Sequence, residues 1–210
     1  MKPQAMLAGV GALAFGILSF VAFAIANPPG GSYKPSDMAD FVAKGHRPAV
    51  FVSVYVMLLA GAGLLLALAR LRDLIDGQRA SLFWGFGIGA VTAWVAGYAL
   101  VISPAAALAF SSGDLSTLPP TLVYTVSEAG WAVMYGGGGL LLGCALVTFA
   151  AGRVSVAAWL RWFTALAGVA SLAGIAWFPL FVVYLWAIVL GIWLLLAGRE
   201  RVAIPSAQQA

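Results

Sequence analysis

The chain has 210 residues, 63% of them hydrophobic and 9% charged, with a net charge of +4 and a mean hydropathy of +1.01. A soluble domain averages about 45–50% apolar and about 25% charged residues, so this composition excludes a water-soluble globule and points to an integral membrane protein. The basic excess does not read as a nucleic-acid surface, because no Lys/Arg block that could track phosphates is present; basic loops are how membrane chains are oriented.

A spanning helix needs about 20 mostly apolar residues, and six runs qualify: residues 5–26, 49–69, 81–103, 121–151, 156–177 and 179–198. The first, with Lys2 ahead of it and Ala24-Ile25-Ala26 as a cleavage-like end, has the look of a signal peptide. It exceeds the roughly 7–15 apolar residues of a signal core and is read as an uncleaved span. Asn27-Pro28-Pro29-Gly30-Gly31 breaks the helix. A short amphipathic helix over 37–44 is expected next, with Ser36 as its cap, Asp37 in its first turn, Lys44 in its last, and Met38, Phe41 and Val42 on one face.

His46-Arg47-Pro48 leads into the second span, and the charged loop 70–79 separates it from the third. The third is expected to stop before Pro104, leaving a loose connection to Pro119-Pro120. The fourth span is long enough to tilt or to bend at Gly136–Gly139. Pro179 divides the last apolar stretch into a hairpin of two spans. Lys2, Arg70, Arg72, Arg79, Arg153, Arg161, Arg199 and Arg201 fall on one side of this alternation, and Lys34, Lys44 and Arg47 on the other. The richer side is cytoplasmic by the positive-inside rule. The expected fold is therefore an all-α, polytopic six-span bundle, a single transmembrane domain with both termini cytoplasmic, in a bacterial-type plasma membrane.

Helices pack in lipid through small residues. Gly85, Gly89, Ala93 and Gly97, each four apart, put such a face on the third span; Gly139 and Gly143 repeat it on the fourth, and Ala8, Ala12 and Gly16 on the first. The third span is expected to be central and to touch the fourth. Trp84, Trp159, Trp162 and Trp177 fall near span ends, where Trp anchors a chain at the interface.

Glu128 is the only carboxylate well inside an apolar run, and Tyr124, Ser127, Trp131 and Tyr135 surround it at helical spacing. An ionisable group at membrane depth is by default a functional-site hypothesis. Counted from the outer end of its span, Glu128 lies roughly 10 Å in, at about 1.5 Å per residue. Tyr55, Tyr98 and Tyr184 fall at similar depth on other spans, and His46 and Arg47 enter at the same rim. Two readings follow. Glu128 is either a protonatable group in an outward-facing ligand or proton pathway, or a carboxyl hydrogen-bonded to Tyr98, Tyr55, His46 or Arg47 that fixes helix register. His46 and Arg47 either hold an anionic headgroup or form the polar boundary of a span.

Catalytic machinery is sparse. The apolar runs hold no second acid to pair with Glu128, and no nucleophile motif surrounds Ser32, Ser36, Ser111 or Ser112. Gly136–Gly139 lacks the Lys-Ser/Thr of a phosphate loop. One His, His46, and one Cys, Cys144, cannot furnish a tetrahedral zinc site or a bis-His haem, and the three lysines lie outside the runs. No catalytic residue, metal or cofactor is expected.

The Asn27-Pro28-Pro29 exit, the helix before His46-Arg47, the Arg70–Asp73 end of the second span and the Trp177-Phe178-Pro179 hairpin followed by Trp193 and Arg199 form a layout. That layout resembles small bacterial six-span membrane proteins grouped as a family of unknown function. The resemblance implies a fold and no activity. The function expected is that of an accessory or structural membrane subunit, with the lipid bilayer and a second membrane protein or another copy of the chain as partners, and no nucleic acid. The alternative is a small carrier or ligand-binding protein with an outward pocket around Glu128.

Overall fold

A computed structural model describes residues 3–111, 116–154, 156–174 and 180–200. The described residues form α1 (Pro3–Ala26), α2 (Pro35–Val42), α3 (Arg47–Arg72), α4 (Gln78–Phe110), α5 (Pro120–Trp131), a π-helical segment (Ala132–Gly138), α6 (Gly139–Ala151), α7 (Ala158–Leu172) and α8 (Leu180–Glu200). The fold is all-α. Four helical runs are long and apolar enough to cross a membrane: Gln4–Ala26, Arg47–Arg72, Gln78–Phe110 and Pro120–Ala151. A shorter apolar helix covers Phe181–Ala197, and α7 has 15 residues.

Several boundaries differ from expectation. The third helix does not stop at Ser103; it runs through Pro104 to Phe110. Proline has no N–H to give the carbonyl four residues back. Ser103 Oγ donates to that carbonyl, Leu100 O, at 2.8 Å, so a neighbouring hydroxyl restores what the ring removes. The short amphipathic helix begins at Pro35 rather than at a Ser36 cap. Pro35 occupies the first turn, where a missing N–H costs nothing, and Ser36 Oγ turns to Asp37 instead. That helix ends at Val42, before Lys44, although Met38, Phe41 and Val42 do form its buried face. The expected fifth span, 156–177, is represented by α7. Its proposed end at Trp177 and the turn at Pro179 fall outside the described residues.

The helices contact one another in a closed ring: α1 on α3, α3 on α4, α4 on the α5–π–α6 run, α6 on α7, α7 on α8, and α8 back on α1. Glycines bring the backbones together. A Cβ on Gly11 would lie 2.6 Å from Gly63 O on α3, and one on Gly191 would lie 2.8 Å from Gly9 O. The expected contact of the third span with the fourth is present, with α4 one member of the ring. Of the expected small-residue face on α4, Gly97 meets Met134 and Gly130, and Gly89 meets Leu141, but Gly85 faces open space. That face therefore begins at Gly89. Its partner surface is Gly130, Gly137 and Gly138, whereas Gly143 turns away from α4 onto Gly168 and Leu172 of α7. Gly139 O accepts from Ser171 Oγ at 2.7 Å, a second tie from α6 to α7.

One end of the bundle gathers the α1 exit, α2, the start of α3, the end of α4 and the start of α5. At the other end, Ile75 and Val154 pair in an isolated antiparallel bridge. There Arg79 and Arg161 donate to the last carbonyls of α6, Arg79 Nη1 to Ala151 O and Arg161 Nε to Ala150 O at 2.6 Å. Cations at a helix C-terminus satisfy its orphan carbonyls and oppose its dipole.

Candidate functional site: a clamp on the α1–α2 loop and an aromatic cleft beside it

Tyr124, Glu128 and Trp131 lie at i, i+4 and i+7 on α5 and share one face, as helical periodicity requires. That face meets a backbone segment, and at Trp131 it also borders a cleft. It grips the loop that follows α1. Glu128 Oε1 accepts from the Gly31 N–H at 3.2 Å, Tyr124 Oη donates to Gly31 O at 2.9 Å, and Trp131 Nε1 donates to Pro29 O at 2.8 Å. The Tyr33 ring closes edge-on over Tyr124 at 5.3 Å. Gly31 has φ +76°, a left-handed conformation that glycine adopts without strain. The half-buried carboxylate of Glu128 therefore finds its partner in loop backbone, rather than in Tyr98, Tyr55, His46 or Arg47.

The rim pair is also engaged with backbone. The His46 ring meets Ala26 O, the end of α1, through Nε2 at 2.7 Å. Arg47 donates through Nε to Val42 O and through Nη1 to Leu108 O, both at 3.0 Å. The two residues thus give partners to carbonyls in the last turns of three helices.

The remaining candidates divide. Ser127 is buried and donates to Val101 O on α4 at 3.2 Å. Tyr98 is buried and donates to Ser53 Oγ at 2.8 Å, with Ala22 O at 3.3 Å; Ser53 in turn donates to Val50 O. Tyr55 is 70% exposed on the outside of the bundle. Its expected place beside Glu128 is corrected: Ser53, two residues earlier, faces the interior, and a two-residue step rotates a helix by about 200°. Tyr184 is buried on α8 and joins Trp131 in a cavity that lacks Glu128.

That cavity is a cleft of about 290 Å³ lined by Phe20 and Phe23 of α1, Asn27 and Pro28 of the loop, Trp131, Tyr135, and Phe181 and Tyr184 of α8. Trp131 and Tyr135 stack at 5.1 Å, and Phe20 and Phe181 at 6.0 Å. Phe20 also packs on Tyr184 at 4.8 Å. Trp94, fully buried, stands edge-on to Tyr135 and Tyr184 behind the cleft. Tyr135 reaches this wall from the π-helical segment, whose wider turn displaces the residues after it relative to an α-helix. Next to the cleft, beyond Asn27 and Pro28, lies a polar hollow of about 340 Å³ bordered by Asp37, Asp40 and His46.

Sequence reasoning placed Trp131 and Tyr184 but missed Phe20, Phe23, Asn27 and Phe181. Apolar rings among apolar neighbours carry no local signal, and the α1–α8 contact that assembles them joins the two ends of the chain. Among the described residues no three His, Cys, Asp or Glu side chains gather closely enough to hold a metal ion.

Comparison with protein-family models, with curated proteins and with solved structures finds no match to this chain.

Proposed function

We propose that this is a six-span protein of a bacterial-type plasma membrane, with both termini in the cytoplasm, serving as an accessory or structural membrane subunit. It belongs, on this proposal, with the small six-span proteins its layout resembles. One observation carries the reading. The side chains best suited to chemistry or solute binding at the outer end, Glu128, Tyr124, Trp131, His46 and Arg47, all direct polar atoms to backbone groups of this same chain. A site built this way holds a shape for others to recognise. The partners would be the bilayer and a second membrane protein or another copy of the chain.

Cross-linking in native membranes followed by mass spectrometry tests this. The expected result is a partner membrane protein, or a second copy, in fixed stoichiometry. A chain that stays monomeric and by itself transports a solute into liposomes would replace the subunit reading. A second reading, a ligand-binding membrane protein, is supported by the cleft one turn beyond Glu128, with the ligand held by rings rather than by the carboxylate.

A further inference from the structure

We infer that the cleft between α1, the α5–π junction and α8 binds an uncharged, ring-bearing amphiphile with a hydrogen-bond-accepting oxygen, taken from the surrounding lipid. This rests on the ligand-binding reading and goes beyond it by naming the chemistry of the ligand.

Four observations point the same way. First, among the described residues six of the eight that line it are aromatic, and none of these eight is charged. A cation entering here would lose its water without gaining a carboxylate, because Glu128 is directed to Gly31 N. An apolar ring loses nothing comparable and gains edge-to-face and stacked contacts.

Second, Tyr184 Oη is buried and makes no hydrogen bond of good geometry, although the Tyr135 hydroxyl lies near it. A buried O–H left unsatisfied is costly, and an acceptor oxygen on a ligand would relieve it. Trp131 supplies its ring alone, since its N–H is taken by Pro29 O.

Third, the rim is formed by Phe20 and Phe181, 39% and 53% exposed on the apolar surface of the bundle. Entry is therefore from the acyl region between α1 and α8. Fourth, the outer end of the cleft is formed by Asn27, a non-glycine residue at φ +40°. That φ is the usual left-handed ending of a helix, its N–H bonding Phe23 O at 2.8 Å, and the Asn amide suits a polar substituent at this end.

The experiment uses the full-length protein in lipid nanodiscs with 4-octylbenzophenone, an uncharged aromatic ketone that cross-links on illumination. Saturable labelling is expected on peptides carrying Phe20–Pro28, Trp131–Tyr135 and Phe181–Tyr184. Tyr184→Phe keeps the ring and should weaken half-saturation about five-fold, the loss of one ordinary hydrogen bond. Phe181→Ala, which removes one ring of the rim, should lower saturable labelling of the cleft. Tyr55→Phe, on the outer surface, should change nothing.

Labelling that follows exposed residues such as Phe110 and Tyr55, without saturating, would overturn both this inference and the ligand-binding reading. Saturable labelling of the cleft that octyltrimethylammonium displaces better than unlabelled ketone would leave a binding site but overturn the uncharged class. An unchanged half-saturation for Tyr184→Phe would overturn the assigned hydrogen bond and, with it, the acceptor oxygen.

Discussion

Glu128 gives Oε1 to one backbone amide, and that single bond sets what its replacement should do. In Glu128→Gln the amide oxygen still accepts from Gly31, so thermal stability in detergent should match the parent. Glu128→Ala removes the acceptor and should cost about 1 kcal/mol, the usual net worth of one hydrogen bond. Trp131→Phe loses the donor to Pro29 O and also part of a buried indole stacked on Tyr135, so it should cost more, about 2–4 kcal/mol. Both losses should also speed proteolysis within residues 27–34. Thermal melts and limited digestion read these outcomes, and a Glu128→Gln protein that stays folded yet loses proton-coupled uptake would return the carboxyl to a functional role. The sequence made Glu128, Tyr124 and Trp131 legible as one helical face, because i, i+4, i+7 spacing depends only on local geometry. Their partner was not legible. Backbone groups of a Pro/Gly loop look alike in any sequence, and only the fold decides which of them arrives at the acid.

The α4 helix and the interrupted helix opposite it are held by glycines whose surroundings differ sharply. A Cβ at position 97 would lie 2.5 Å from Met134 N and 2.7 Å from Gly130 O, both backbone atoms that cannot step aside. Gly97→Ala should therefore destabilise by about 1–3 kcal/mol, as overpacking does. Gly85→Ala meets nothing within 4 Å and should stay within about 0.5 kcal/mol of the parent. Parallel thermal melts of the two variants check the contrast, and equal effects would contradict the packing described. The π segment invites a further test. Gly137→Ala encounters only an ordinary 3.9 Å contact with Ala93 and should be tolerated. The glycine run announced a weak point in the helix, but its π form depends on tertiary packing against Ala90 and Trp94. Pro104 misled for a related reason: the Ser103 hydroxyl that rescues the helix is equally at home in a loop.

Across the molecule, helices that follow one another in sequence are neighbours in space, an order compatible with the alternation expected from the charge pattern. Composition and run length made the all-helical class legible. The closing contact of α1 with α8 was not, because each helix presents small and apolar residues on several sides and no polar mark identifies the packed one. If the proposed topology holds, Lys34→Cys and Asp76→Cys, each made in a Cys144→Ser background, should differ in intact cells. An impermeant maleimide should label the first from outside, and the second only after the membrane is opened. Reversed labelling would invert the proposed orientation, and equal labelling would refute the alternation.

Arg79 and Arg161 belong to the charged set that would direct insertion, and the same two side chains close the end of α6. The address label and the rivet are thus one object. A chain re-engineered to insert upside down by neutralising these arginines would lose two ties between separate helices in the same stroke. Its failure would have to be read as a loosened assembly before it was read as a misdirected one. Moving the positive charge elsewhere on the same loops, while leaving Arg79 and Arg161 in place, is the way to change direction without unfastening the bundle.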